Sequence, residues 1–310
     1  MIKITDEIKH ALATNKAVVA LESTVISHGL PFPANLVIAQ ELEKTVRDEG
    51  AIPAIIALIN GEIRIGLHKH ELELLADPKT TVRKVSRRDI AYTLAIKSYG
   101  ATTVSATMFL AHQARLRIFA TGGIGGVHRG AEYSMDISAD LYELGTTPIG
   151  VVCAGAKSIL DLPKTLEVLE SLGVGVWGFK TEYFPEFFCR TNRYKLDMNF
   201  NDANNIAQAL ALHWELGLKN GVVIAQPVPI KDALDAELIE RSIKEALILA
   251  EKNHIHGKAL TPFLLQHIAK ITKGQSLASN KALLIENARL AAHIAIAINR
   301  QKIPTTHVQL

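Results

Sequence analysis

Residues 17–66, AVVALESTVISHGLPFPANLVIAQELEKTVRDEGAIPAIIALINGEIRIG, decide the fold class. AVVAL at 17–21 is short, uncharged and valine-rich, which predicts a buried strand. ANLVIAQELEKTVRDEG then places Leu36, Ala39, Leu42 and Val46 on one helical stripe, with Gly50 positioned to stop it. PAIIALI at 53–59 predicts a second buried strand. Asn60-Gly61 followed by EIRIG predicts a tight hairpin, because a two-residue turn between twisted strands needs left-handed backbone that Asn and Gly accept.

Strand, helix and strand in succession are the unit of a layered α/β protein, and the rest of the chain continues the pattern. TVRKVS, RIFATGG, IGVVCAG and VGVWGF are four further strand candidates, and GVVIAQP at 221–227 is another. Pro163 suits the first turn of a helix through LPKTLEVLESLG, where its missing donor costs nothing. Beyond residue 200 the period becomes helical, over 201–217, 235–252, 259–272 and 277–299. The expected fold is a layered α/β/α sandwich with a mostly parallel central sheet, a small hairpin and a helical C-terminal layer from about residue 230. With no repeat or linker to divide it, residues 1–310 are expected to form a single domain.

The 310 residues carry 34 Lys and Arg against 31 Asp and Glu, a net charge of +3, and 48% are hydrophobic. That balance supports a large core and argues against a nucleic-acid binder working by phosphate neutralisation. No run of 18 uninterrupted apolar residues occurs, so no membrane association is expected. Asp6 and Glu7 stand where a secretory signal needs an apolar run, and the two cysteines, Cys153 and Cys189, show no metal or disulfide spacing. A cytoplasmic location is expected.

Chemistry concentrates at a few strand ends. TGGIGGVHRG, residues 121–130, follows the strand RIFA, and its glycines let backbone amides approach a phosphate, with His128 and Arg129 as further donors; a purely structural turn is the alternative. No Gly-x-Gly-x-x-Gly phase runs through it, which sets dinucleotides aside. GVVCAGAKS lacks the Gly-Lys dipeptide of a nucleotide P-loop, because Ala156 intervenes; what remains is Lys157 leaving an apolar strand, suited to Schiff-base chemistry or merely close to a helix start. Glu22 ends the first strand, as an acid/base or as a turn cap. The cations of KVSRRD could bind a phosphate or form a solvated face. Asp136 and Asp140 are spaced to share a face if the backbone there is helical, and so to hold a hard divalent cation, or to cap a helix, a role Ser138 fits equally well. The pairs His68/His70 and His254/His256 have no accompanying ligand spacing and are expected on the surface.

VALESTVISHGLPFP, TVRKVSRRD, GATTVSATM, FATGGIGGVHRGAE, DISADL and VVCAGAKSILD, in this order, together resemble the pseudouridine-5'-phosphate glycosidases, and the likeness continues through EFFCRTN, GKALTPFLL and SLASN. The resemblance implies reversible cleavage of the carbon–carbon bond between uracil and ribose 5-phosphate, assisted by manganese, in a homotrimer that takes a small phosphosugar nucleotide. It makes Lys157 the nucleophile that opens the sugar as an iminium adduct, and Glu22 the acid/base that protonates C5 of uracil. It also implies substrate roles for Lys84, Val104 (through its amide), Ser138, Ala139, Asp140 and Asn280. Thr121 and His128 would join Lys84 at the phosphate, and the metal would fall to Asp136, or directly to Asp140. Two positions depart from the family's habit: Gln226 stands where Asn precedes a proline, and Ala259 where an acidic residue follows Gly-Lys. A phosphotransferase that uses the glycine loop for nucleotide phosphate, and a catalytically silent phosphosugar sensor, are the competing readings.

Overall fold

The computed structural model describes residues 2–255 and 257–301; His256 of the second histidine pair lies outside them. The strand, helix and strand of the opening stretch form as β2 (Val18–Leu21), α2 (Ala34–Asp48) and β3 (Ile52–Ile59), after a short β1 (Ile2–Ile4) and α1 (Asp6–Ala13). β3 turns into β4 (Glu62–Ile65) with Ile59 opposite Glu62, and Asn60 and Gly61 take φ of 49° and 78°, the left-handed pair the hairpin requires. α3 (Lys69–Ala76), β5 (Val82–Val85), α4 (Ile90–Ala95), β6 (Tyr99–Thr102) and α5 (Val104–Gln113) follow. β7 (Ile118–Ala120), α6 (Ala131–Ser134), α7 (Ala139–Leu144), β8 (Gly150–Cys153), α8 (Leu162–Ser171) and β9 (Gly175–Phe179) complete the middle of the chain. The last part contains β10 (Met198–Phe200), α9 (Ala203–Glu215), β11 (Val222–Ala225), α10 (Ala236–Lys252), α11 (Leu260–Ile271) and α12 (Gln275–Arg300).

Among the described residues these strands form one sheet in the order β1-β4-β3-β2-β7-β8-β11-β9-β10, with β6 pairing β3 and β5. Every pairing is parallel except β3 with β4 and β3 with β6. Strands covered on both faces need near-continuous apolar runs, and β2, β8 and β11 are buried at all their residues. Helices α2, α12 and α9 touch in that order to form one layer, and α5, α7 and α8 form another, so the expected α/β/α sandwich is realised.

α12 has 26 residues and is apolar enough, by length and composition, to cross a bilayer, yet 56% of its most apolar window is buried inside this protein. It lies against β2, β7 and β8 and between α2 and α9. The C-terminal helical layer therefore includes a central helix that completes the core.

Candidate active site

The carboxyl ends of the parallel strands open on a cavity of about 440 Å³, the place where open α/β sheets bind ligands. Glu22, one residue beyond β2, and Lys157, four beyond β8, both line it. Ser23 anchors the glutamate: its hydroxyl donates to the Ile56 carbonyl at 2.7 Å and accepts the Thr102 amide at 2.8 Å, which ties the end of β2 to β3 and β6. Thr102 donates to the same carbonyl at 2.7 Å.

Glu22 is 9% exposed. The Thr24 hydroxyl donates to Oε2 and the Thr121 hydroxyl to Oε1. Burial nonetheless holds the carboxyl above the usual range; Lys157 is the strongest counterweight, ahead of the two hydroxyls, while Asp140 adds to the rise. A buried carboxyl pushed upward in a ligand-sized cavity is a candidate to give and take protons.

The cationic end of the cavity comes from β5 and the turn after it, through Lys84, Ser86 and Arg88, together with Thr103 and Val104 at the start of α5. Thr103 is the N-cap and Val104 the first helical residue, so the Val104 amide is one of those without an intrahelical acceptor, and anion binding is favoured there. The KVSRRD cations divide: Lys84 and Arg88 face the cavity, whereas Arg87 lies over the Phe109 ring at 4.7 Å and pairs with the buried Glu143 at 3.0 Å. His128 lines the same cavity, and burial lowers its basicity, reinforced by Lys157 and Lys84 and opposed by Asp136. Thr121, expected at the phosphate, instead spends its hydroxyl on Glu22.

The two aspartates do not share a helical face. Met135 is left-handed, with φ of 54°, and α7 begins only at Ala139, so Asp136 lies in extended chain ahead of the helix. Ser138 is the N-cap and accepts the Asp140 amide at 3.3 Å. Asp140, 5% exposed, accepts the Ser105 amide on Oδ1 and the Gly125 amide on Oδ2, each at 2.9 Å. It ties the start of α5 to the glycine loop, and the half-buried Asp136 lines the same cavity. Ser138, Ala139 and Asn280 also line the cavity.

Sequence reading missed His28, Phe187 and Leu265, which line the cavity too. His28 stood in the polar turn after Glu22, a usable signal, whereas the other two are brought in only by tertiary folding. Burial, aided by Lys84, lowers the basicity of His28. His68, His70 and His254 are exposed. Both cysteines are buried and free, and burial pushes the Cys153 thiol up to about 12, far from a nucleophile. Gln226 lines a different cavity and Ala259 is exposed at the head of α11, so neither departure touches this site.

The sequence profile of the family described as Indigoidine synthase A like protein matches residues 7–297. A pseudouridine-5'-phosphate glycosidase of Caldanaerobacter subterraneus subsp. tengcongensis is 51% identical over 96% of this chain and 97% of its own. The chain belongs to the pseudouridine-5'-phosphate glycosidase family. Another member, from Escherichia coli, is 49% identical over 95% of each chain. Among solved structures, the prealnumycin C-glycosynthase in complex with ribulose 5-phosphate superposes with a TM-score of 0.89 and 36% identity, covering 96% of this chain and 97% of its own. An indigoidine synthase A-like protein of Thermotoga maritima gives 0.88 and 32%, covering 97% of each. The family makes this chain an enzyme.

Proposed function

We propose that this enzyme reversibly cleaves pseudouridine 5'-phosphate with water to uracil and ribose 5-phosphate, through a covalent adduct on Lys157. The observation that carries the proposal is the opposition of Glu22 and Lys157 in one buried cavity with a cationic end. A related enzyme that makes C-glycosides is seen with a ribulose 5-phosphate bound, which supports a phosphosugar as the ligand. The phosphate falls to Lys84, His128 and the Val104 amide.

In the cleavage direction the Lys157 amine bonds to C1' of the sugar, the C1'–O4' bond breaks and O4' takes a proton from Glu22. Protonation of uracil C5 lets the nitrogen lone pair form a C1'=N iminium as the C1'–C5 bond breaks, and that electron pair restores the C5=C6 double bond. Water then hydrolyses the iminium, releasing the sugar aldehyde and the lysine. Glu22 moves the protons, and its raised carboxyl suits both giving and taking them. Asn280 is assigned to orientation of the base or sugar, and Ser138, Ala139 and Asp140 to the sugar wall.

Among the described residues no group of three His, Cys, Asp or Glu side chains gathers to hold a metal, and both Asp140 oxygens accept backbone amides. That donor set fits a largely hydrated hard cation such as Mn2+ held through Asp136, and does not fit a closed protein site. Such an ion would supply positive charge beside the phosphosugar. A cytoplasmic homotrimer completes the proposal, on the strength of the family alone.

The test follows uracil release from pseudouridine 5'-phosphate with Mn2+ or with chelator, each with and without ATP, and adds borohydride during turnover. Release without ATP and a reduced sugar adduct on Lys157 are expected. A strict need for ATP would point to the phosphotransferase, and full activity of Lys157→Ala without any adduct would sink the mechanism.

A further inference from the structure

α12 reaches the site twice. Asn280 lines the cavity, and two turns further along Asn287, 1% exposed, lies beneath the glycine loop. Its Nδ2 donates to the Thr121 carbonyl at 2.8 Å and lies 3.4 Å from that of Gly122. Its Oδ1 is buried with no hydrogen-bond partner among the described residues. The position is otherwise apolar: Leu283, Leu284, Leu290 and Ala291 on the same helix are all buried. An amide in such a setting is matched to what it bonds, here the backbone of the glycine loop.

The tethered residue is Thr121, and the Thr121 hydroxyl donates to Oε1 of Glu22. The loop has little slack, because a Cβ on Gly122 would lie 3.3 Å from Leu284 and 3.4 Å from Leu283. We infer that Asn287 is a positioning residue for the catalytic carboxyl: by fixing the Thr121 backbone against α12, it fixes the hydroxyl that holds Glu22. The inference rests on the reading of Glu22 as the acid/base. Glu22 is also faced by Thr24, Lys157 and Asp140, and substitution at Asn287 leaves all three in place.

The sign of the effect follows from the bond. A hydroxyl donating to a carboxylate favours its ionised form, so loosening Thr121 raises the Glu22 carboxyl further. The experiment compares the pH dependence of kcat/KM for the wild-type enzyme, Asn287→Leu, Asn287→Ala, Thr121→Val and Glu22→Gln, together with thermal midpoints. In Asn287→Leu, the limb that vanishes in Glu22→Gln is expected to move to higher pH by about half a unit or more. kcat is expected to fall about ten-fold while KM stays within about two-fold. Thr121→Val should move the limb the same way, and adding Asn287→Leu to it should move it little further. Asn287→Ala, which leaves room for a water at the Thr121 carbonyl, carries the test if the leucine does not fit. An unmoved limb in the Asn287 variants, with or without a lowered midpoint, overturns the inference and makes Asn287 merely structural. A limb that persists in Glu22→Gln overturns the reading of Glu22 itself, a separate result.

Discussion

Glu22 is held in a place that a carboxylate would not choose for stability. Its folded carboxyl sits above the ordinary value because of burial, so the neutral form is the one the fold prefers. The stability linked to it is fully present below the unfolded value of 4.5 and is lost as pH rises through the higher folded value. Glu22→Gln, which mimics the protonated form, should therefore melt higher than the wild type by roughly 1–3 °C at pH 8, with the gap closing near pH 4, while turnover falls by about 10²–10⁴-fold to a residual rate that can still be followed against pH. A lower midpoint at pH 8 would contradict that balance. At this scale the sequence was informative where a polar residue ends an apolar strand, as at Glu22 and Lys157. It could not show the bond from Thr121 to Glu22, because the two lie 99 residues apart and meet only when β2 and β7 pair. Nor could spacing reveal that Asp140 is occupied by two backbone amides, since those belong to α5 and the glycine loop.

The elements that hold these residues were legible in proportion to the strength of their local signals. α2, α8 and α10 to α12 follow from their apolar period, and the β3–β4 hairpin from its Asn-Gly turn. β1, β6 and β10 have three or four residues each and are strands only through their partners; β6, with the sequence YGAT, has no local reason to be one. Asp136 and Asp140 could share a face only if the backbone were helical there; a left-handed Met135 and an N-cap at Ser138 start the helix late, so the alternative of a helix cap at Ser138 is the one realised. The glycine loop shows how tightly elements can be joined. A Cβ at Gly125 would stand 2.2 Å from Ser138 Oγ and 2.7 Å from Asp140 Oδ2. Gly125→Ala should thus push the loop off the start of α7, lowering kcat/KM by about a hundred-fold or more while far-UV circular dichroism stays native. Activity within about three-fold of wild type would show that the loop can yield at no cost.

For the molecule as a whole, the small net charge of +3 matters less than its placement, since Lys84, Arg88, His128 and Lys157 face one cavity with Glu22, Asp136 and Asp140. The layered fold was readable because its central parallel strands, β2, β8 and β11 among them, are apolar throughout; what the sequence withheld was that the last long helix is central. α12 touches three strands of the sheet and the helices α2, α9 and α11, and through Asn280 and Asn287 it also reaches the cavity and the glycine loop. Binding loops commonly open more easily than the frameworks that carry them. Here the amide of Ile124 donates to the Gly155 carbonyl and that of Ala154 to the Gly122 carbonyl, at 3.0 and 2.8 Å, in loops seated on the core helix. Their hydrogens should exchange with deuterium about as slowly as those of β8, by unfolding of the entire domain. The reacting groups would then be set when the protein folds, leaving little for substrate to organise in the loops themselves.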